Sequence, residues 1–217
     1  MSKTFELVGK TGTLEIYRLE TEPFGTNAYV LICTDNNESI LVDAPGNAGT
    51  IIEKLAGTDV KYILITHGHG DHVMALNEIY EALGAPLAAH EGDAGTLPVK
   101  PDKLLKDGYS IEFCDYKIEV LHTPGHTIGG LCFKVGNYLI AGDTIFPGGP
   151  GKTSTPDDFR QILQSIKNKV LVLPDETEIL PGHGESTELK KEREQIKSFE
   201  SRKLGEKICG DVTWMEI

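Results

Sequence analysis

The sequence predicts a single α/β domain in which two β-sheets lie between layers of helices. Short apolar runs bounded by glycine and asparagine turns occur in both halves of the chain, and they indicate strands. Each group of runs is followed by a segment with the apolar spacing of a helix. No stretch rich in serine or proline separates the halves, so we expect residues 1–217 to form one domain.

The first half predicts successive strands and two helices. The strands are expected at residues 14–18, 28–33 and 40–43, with a hairpin turn at 35–37. A short helix at 49–56 precedes a nearly continuous apolar run, which predicts a strand at 61–66 covered on both faces. Apolar residues near helical spacing then predict one continuous helix over about 71–83, which Gly84 ends. Another short strand is expected at 86–90.

The second half repeats this pattern. Strands are predicted at residues 110–113, 116–122, 130–135, 137–141 and 178–180, with a tight turn at Gly136. Thr155 is the expected N-cap of a helix that runs to about Lys167, because Pro156 and two acidic residues follow it. A charged C-terminal helix is expected from Ser186 to about Phe199.

The composition is typical of a globular protein with an anionic surface. Hydrophobic residues make up 39% of the 217 residues and charged residues 25%. A net charge of −12 argues against a nucleic-acid partner, because phosphate binding needs concentrated lysine and arginine. No apolar run reaches the roughly 20 residues that cross a bilayer, so a membrane partner is not expected either. We expect a small-molecule substrate, and the composition favours no particular oligomeric state.

The cysteines and the first residues predict a cytoplasmic protein. Cys33, Cys114, Cys132 and Cys209 are isolated from one another, which suits a reducing compartment rather than a disulfide framework. Three of them have apolar or aromatic neighbours, so we expect buried free thiols at these positions. Residues 1–6 lack the apolar stretch of a secretory signal.

Residues 66–72 contain the densest cluster of potential metal ligands. His67 and His69 are two positions apart, so both rings project to one side of an extended segment. Asp71 and His72 fall in the first turn of the next predicted helix, and their side chains can reach a position next to the one that His67 and His69 face. Neutral imidazoles and carboxylates bind zinc and similar divalent ions. Helix capping or hydrogen bonding in a core does not explain so many such residues in one short segment.

Three later segments each add one potential ligand at the end of a strand. His126 lies in Thr-Pro-Gly-His-Thr, Asp143 in Gly-Asp-Thr and His183 in Pro-Gly-His-Gly. Each is flanked by small residues that allow a turn. Four loops at strand ends therefore predict a metal site at one edge of a sheet sandwich.

In this order, the motifs resemble those of the metallo-β-lactamase superfamily, and within it the glyoxalase II-like hydroxyacylglutathione hydrolases. The resemblance extends from about Leu14 to His183. It implies a four-layer αββα sandwich that holds two divalent metal ions, zinc in the first place and iron or manganese as alternatives. The resemblance also assigns the ligands: His67, His69 and His126 to the first ion, Asp71, His72 and His183 to the second, and Asp143 as the bridge.

The resemblance implies hydrolysis of thioesters or related carboxyl esters by a hydroxide that the two ions share. Asp71 is then also the catalytic residue that orients this hydroxide. Antibiotic hydrolysis is not expected, because the true β-lactamases typically lack the bridging carboxylate. Two alternatives stay open: a lactonase, and a persulfide (sulfur) dioxygenase whose single iron is held by His67, His126 and Asp143.

Further residues near the motifs are predicted to contact the substrate or to support the metal ligands. Lys152 follows the glycine-rich loop after Asp143, where it either meets an anionic substrate group or only accompanies a turn. Asp43 and His122 are predicted to support the ligands rather than bind metal. His90 is predicted to lie at the surface or to support a ligand in the same way. Only a helix and a tail follow His183, whereas longer glyoxalase II enzymes bind glutathione with a C-terminal extension. We therefore expect either a smaller thioester or a different mode of glutathione binding.

Overall fold

Two large β-sheets and five α-helices make up the part of the chain that our computed structural model describes, residues 4–200 and 207–215. The first sheet holds seven strands in chain order: β1 (Glu6–Thr11), β2 (Leu14–Thr21), β3 (Thr26–Cys33), β4 (Glu38–Val42), β5 (Asp59–Leu64), β6 (Leu87–His90) and β7 (Lys103–Leu105). Strands β1 to β4 pair antiparallel, and β4 to β7 pair parallel.

The second sheet contains six strands: β8 (Ser110–Phe113), β9 (Tyr116–His122), β10 (Leu131–Val135), β11 (Tyr138–Gly142), β14 (Glu178–Pro181) and β15 (Thr187–Glu188). The hairpin of β12 (Ile145–Phe146) and β13 (Gly149–Pro150) lies apart from it. Strands β11 and β14 are parallel and the other neighbours antiparallel. The carboxyl ends of β11 and β14 therefore meet at one edge of this sheet.

The helices are α1 (Ala48–Leu55), α2 (Gly70–Val73), α3 (Leu76–Leu83), α4 (Pro156–Ser165) and α5 (Leu189–Glu200). A central core joins the facing sides of the two sheets, with Leu31 from the first and Phe133 from the second. A second core packs α1 and α3 on the outside of the first sheet, and a third packs α4 and α5 on the second. The order of layers is α, β, β, α, which confirms the predicted fold class.

The predicted continuous helix over 71–83 is wrong, because the structure divides it into α2 and α3. The backbone N–H of Ala75 donates to the carbonyl of Ala44 at 2.9 Å, and the N–H of Ala44 donates to His72 at 2.9 Å. These bonds to the loop after β4 replace the bonds that would continue the helix. The break separates the segment that carries Asp71 and His72 from the helix that packs on the sheet.

The second half differs from prediction at its helix ends. Helix α4 begins at its Thr155 cap as predicted, but after Ser165 the chain continues as a π-helical segment, Ile166–Val170. Helix α5 starts at Leu189 rather than Ser186, because Thr187 and Glu188 pair with β14 as a short strand. Within residues 4–200 and 207–215, no helix is long and apolar enough to cross a membrane.

The expectation of free thiols at Cys33 and Cys114 is wrong. The two residues form a disulfide, with Cα atoms 5.6 Å apart and a sequence separation of 81. Cys33 ends β3 in the first sheet, and Cys114 lies in the turn between β8 and β9 of the second. Packing of the sheets brings these ends together, which local sequence does not reveal. Cys132 is a buried free thiol as predicted, whereas Cys209 is free and exposed.

Candidate metal centre

The seven predicted ligands lie at one edge of the sandwich, in loops and in the short helix α2. His67 to His72 follow β5 and enter α2, and His126 lies between β9 and β10. Asp143 follows β11 directly, and His183 follows β14. The two sheets are joined at this edge, because Leu131 N–H donates to the carbonyl of Thr66 at 2.8 Å.

Three histidines form what we call the first group: His67, His69 and His126. Their ring centroids lie 4.8 Å apart for His67 and His69, 4.8 Å for His67 and His126, and 4.5 Å for His69 and His126. One nitrogen from each ring lies within 4.8 Å of the other two. His67 is buried and His69 exposed, so the group reaches from the interior to the surface.

Asp71, His72 and His183 form the second group. His183 Nε2 lies 3.2 Å from Asp71 Oδ2, and His72 Nε2 lies 3.8 Å from the same oxygen. Thr26 donates a hydrogen bond from Oγ1 to Asp71 Oδ2 at 3.2 Å. The second group therefore combines two imidazoles with one carboxylate, and strand β3 supports that carboxylate.

Asp143 lies between the two groups. Its Oδ2 is 3.4 Å from His126 Nε2 and 3.6 Å from His183 Nε2, and its Oδ1 is 3.3 Å from His72 Nε2. Gly182 makes this position possible, since a Cβ there would lie 2.1 Å from Asp143 Oδ1. A single carboxylate thus contacts histidines of both groups.

The unpaired polar atoms of this cluster fit metal ions. Nε2 of His67, His72 and His126 and Oδ1 of Asp143 are buried and find no hydrogen-bond partner among the described residues. Leaving such atoms unpaired is costly, and four of them converge here. Metal coordination would satisfy all of them, and the donor set of imidazole and carboxylate suits zinc, iron or manganese.

Burial and neighbouring charges set the protonation of the cluster. Burial, with help from His72, holds the pKa of His67 well below its ordinary value, so this ring is neutral. Burial also disfavours the charged form of His72, but Asp43 and Asp143 outweigh it and raise the pKa of His72 to about 10. Burial would favour a neutral Asp143, yet His72, whose Nε2 lies 3.3 Å from Oδ1, keeps the pKa of this carboxyl well below its usual range. An ion that binds His72 must therefore displace a proton.

Asp43 orients His72 through the ring nitrogen that faces away from the cluster. Its Oδ2 accepts from His72 Nδ1 at 2.8 Å and from Thr66 Oγ1 at 2.7 Å, and its Oδ1 accepts from Thr66 N–H at 2.8 Å. Asp43 is buried. This contact turns His72 Nε2 toward Asp143.

Lys152 and His122 both make contacts in the loops around His126. The backbone carbonyl of Lys152 accepts from His126 Nδ1 at 2.7 Å, while its ammonium lies 3.8 Å from Asp211. His122 bonds through Nε2 to the carbonyl of Ile128 at 2.9 Å. The ring of His122 stacks on His90 with centroids 3.9 Å apart, so both histidines support the loop that follows His126.

A C-terminal segment that sequence reasoning missed packs beside the centre. Within residues 207–215, Gly210 pairs with Thr153, and Trp214 N–H donates to the carbonyl of Gly148 at 2.7 Å. The indole of Trp214 is buried and donates to the buried Glu192 at 3.0 Å. These contacts support the loop whose carbonyl holds His126. No motif signals them, because most of them use backbone atoms.

A cavity of about 570 Å³ opens beside His126. The loop from Pro124 to Ile128 lines one side, and Asp158 and Gln161 of α4 line the other. Ile128 is 76% exposed, which is unusual for so large an apolar side chain. The cavity is large enough for a small ligand next to the first group.

An αββα sandwich with histidines and carboxylates gathered at one edge defines a class of metal-binding enzymes. The family model of the metallo-beta-lactamase superfamily matches residues 21–183. The chain therefore belongs to the metallo-beta-lactamase superfamily, which confirms the predicted family. This superfamily uses divalent metals, and its hydrolases act on small-molecule substrates.

The chain is similar to several hydrolases of this superfamily. It is 32% identical to the probable metallo-hydrolase YqgX of Bacillus subtilis (strain 168), over 82% of this chain and 94% of that protein. It is 31% identical to the hydroxyacylglutathione hydrolase GloC of Haemophilus influenzae, over 75% of this chain and 88% of that protein. The crystal structure of the BLEG-1 B3 metallo-beta-lactamase matches with a TM-score of 0.75 and 28% identity, over 82% of this chain and 96% of that one.

Proposed function

We propose that this protein is a binuclear metal-dependent hydrolase of thioesters or related carboxyl esters. The observation that carries the proposal is Asp143, one carboxylate within 3.6 Å of histidines in both groups. A carboxylate in this position can bridge two adjacent ions. The similarity to the hydroxyacylglutathione hydrolase GloC supports a thioester as the substrate class.

Two divalent ions, zinc first and iron or manganese as alternatives, would be held by the first group, the second group and Asp143 between them. When bound, such a pair lowers the pKa of a shared water and polarises a substrate carbonyl. Asp71 is the proposed catalytic residue, because its carboxylate can accept a hydrogen bond from the attacking water. Thr26 fixes the orientation of that carboxylate through its bond to Oδ2.

The proposed substrate is a small molecule that lies in the cavity beside His126. Ile128 and Pro124 offer apolar contact for an acyl chain there. Lys152 is the proposed contact for an anionic group of the substrate. Its ammonium also lies 3.8 Å from the carboxylate of Asp211, which competes for it. The net charge of −12 argues against a nucleic-acid substrate.

A substrate panel tests the proposed activity. Zinc-loaded protein is assayed with a glutathione thioester, a small uncharged thioester, a lactone and a β-lactam, and we expect turnover of at least one thioester. The β-lactam is included because of the likeness to BLEG-1. Turnover of the lactone alone would make the protein a lactonase. No hydrolysis of any thioester or ester by fully metallated protein would reject the proposal.

Metal analysis separates the hydrolase from the persulfide dioxygenase. We expect close to two ions per chain, because the seven candidate ligands exceed what one small ion accepts. A single iron per chain, together with oxygen uptake on a persulfide, would favour the dioxygenase instead.

A cytoplasmic location is also a proposal, and the Cys33–Cys114 disulfide provides its test. Disulfides persist mainly in oxidising compartments. Rapid alkylation of thiols in intact cells shows the state of these two residues, with Cys132 as the free-thiol reference after unfolding. Reduced Cys33 and Cys114 would support the cytoplasm, and a bonded pair would contradict it.

A further inference from the structure

We propose that Asp93 is a positioning residue that joins the two loops of the first group and thereby sets its affinity for metal. The inference rests on the proposed metal centre and adds a residue to it. Asp93 lies in the turn after β6, outside every metal-binding motif. It is only 5% exposed, which is rare for a carboxylate without a specific partner.

Three hydrogen bonds converge on the Asp93 carboxylate from two loops. Oδ2 accepts from Gly68 N–H at 3.0 Å and from the Thr127 hydroxyl at 2.7 Å. Oδ1 accepts from Gly129 N–H at 2.9 Å. Hydrogen bonds to an ionised carboxylate are about twice as strong as neutral ones, so this junction is firm.

The bonded positions lie directly beside the ligands. Gly68 is the residue between His67 and His69, and Thr127 follows His126. One carboxylate therefore ties the segment with two histidines of the first group to the segment with the third. Among the described residues, no hydrogen bond of Asp93 involves a ligand nitrogen, so Asp93 acts on the ligands through the loops that carry them.

The carboxylate itself is held in place and closely packed. Asp93 N–H donates to the carbonyl of His90 at 3.2 Å, and Thr96 N–H donates to the carbonyl of Asp93 at 3.0 Å. Gly129 packs directly on it, since a Cβ at that position would lie 2.6 Å from Asp93 Cγ. The loop after His126 cannot shift toward or away from Asp93 without losing these contacts.

Asp43 supports a different part of the centre. It binds His72 of the second group directly and reaches the first group only through Thr66. Asp93, in contrast, bonds loop positions adjacent to His67, His69 and His126 and touches none of the second group. Loss of Asp93 should therefore weaken the first group selectively.

The test is metal affinity at each group. Metal-free protein is titrated with Zn²⁺ against a chromophoric chelator, and His69→Ala and His183→Ala identify which binding step belongs to which group. Asp93→Asn keeps the size of the side chain but replaces one acceptor oxygen with a donor that faces other donors. We expect it to weaken the first-group step by about 10–100-fold and to change the second-group step by less than about threefold.

Asp102→Asn is the matched control. Asp102 also accepts a backbone N–H, from Leu87 at 2.8 Å, and lies near the start of β7. It bonds Tyr80 rather than a ligand loop, so both zinc affinities should stay unchanged in this variant. Thermal unfolding of each metal-free variant, followed by circular dichroism, shows whether it is folded. If Asp93→Asn does not fold, Thr127→Val removes one of the three bonds and should weaken the same step by a smaller factor.

Two results would overturn the inference: unchanged affinity at both steps in folded Asp93→Asn, or an equal loss at both steps. The second result would make Asp93 a general structural residue. Hydrolysis is not used as a readout, so failure of the proposed thioesterase activity leaves this test intact. A single ion that is lost on His183→Ala but not on His69→Ala would reject both the binuclear centre and the role of Asp93.

Discussion

Three histidines of the centre are held through the ring nitrogen that faces away from it. His72 Nδ1 bonds Asp43, and His126 Nδ1 bonds a backbone carbonyl. His67 Nδ1 lies 3.1 Å from the Thr66 hydroxyl, which donates in turn to Asp43. Each bond fixes the orientation of its ring, so Nε2 is the nitrogen that faces the centre.

The sequence identified the candidate ligands better than their supports, for a physical reason. A ligand such as His67 or Asp143 has its chemistry in its own side chain, and its spacing from its neighbours is informative. The support of His126 is a backbone carbonyl, which any residue could supply. Asp93 bonds backbone N–H groups in distant loops, so neither its residue type nor its neighbours indicated a role.

Removing the bridge should damage the centre more than removing one terminal ligand. We expect Asp143→Ala to lose metal from both groups and His183→Ala to lose it mainly from the second, because Asp143 contacts histidines of both. Elemental analysis of dialysed protein measures ions per chain. An Asp143→Ala protein that retained two ions and full activity would show that the bridge is assigned wrongly.

Asp71→Asn should lower kcat by about 10²–10⁴-fold on a thioester, because a neutral amide ligates poorly and accepts fewer hydrogen bonds from water. Thr26→Val is the matched control, since it removes only the hydrogen bond to Asp71. We expect a much smaller loss in that variant. Steady-state kinetics with measured metal content distinguish the two cases. Equal effects of both substitutions would argue against a direct role for Asp71.

Lys152 and Asp211 should have opposite effects on anionic substrates. Lys152→Ala should raise KM for a thioester that carries a carboxylate by about two- to fivefold, the range expected of an exposed ion pair. Asp211→Asn should lower that KM, because it frees the ammonium 3.8 Å away. KM for an uncharged thioester is the control and should not change. A similar shift for both substrates would remove Lys152 from the substrate site.

At the scale of elements, sequence prediction succeeded where local signals decide the structure. Strands 110–113 and 116–122 have the predicted bounds, because a turn separates two alternating apolar runs. The break between α2 and α3 depends on bonds between Ala75 and Ala44, which are distant in sequence. Strand β7 was missed because it is only three residues long and depends on its partner β6.

The start of α4 permits a stability prediction at this scale. Thr155 Oγ1 accepts from Asp158 N–H at 3.2 Å, and the Asp158 carboxylate accepts from Thr155 N–H at 3.0 Å, which is a capping box. Thr155→Ala should lower the free energy of unfolding by about 1 kcal/mol. Ser154→Ala, an exposed change one residue earlier, should have little effect. Urea denaturation measures both, and equal destabilisation would contradict the cap.

At the scale of the whole molecule, a disulfide cross-links the two sheets. The Cys33–Cys114 disulfide closes a loop with a sequence separation of 81 residues and restricts the unfolded chain. Reduction should lower the free energy of unfolding by about 2–4 kcal/mol. Denaturation with and without reductant measures this, and a Cys33→Ser/Cys114→Ser variant should be insensitive to reductant. Cys209→Ser should keep the full response, because Cys209 is outside the bond.

The buried Trp214 provides an intrinsic fluorescence signal for this protein in solution. It is the single tryptophan of the chain, and its indole lies 5.3 Å from the ring of Phe199 with no exposed surface. Intrinsic fluorescence excited in the tryptophan band therefore comes from one position, on the segment that supports the loop behind His126. The emission of Trp214 should be blue-shifted while that segment is packed against the domain, and it should shift to the red when the segment detaches. The chain thus contains its own optical reporter of contact between its C-terminal segment and the neighbourhood of the candidate centre.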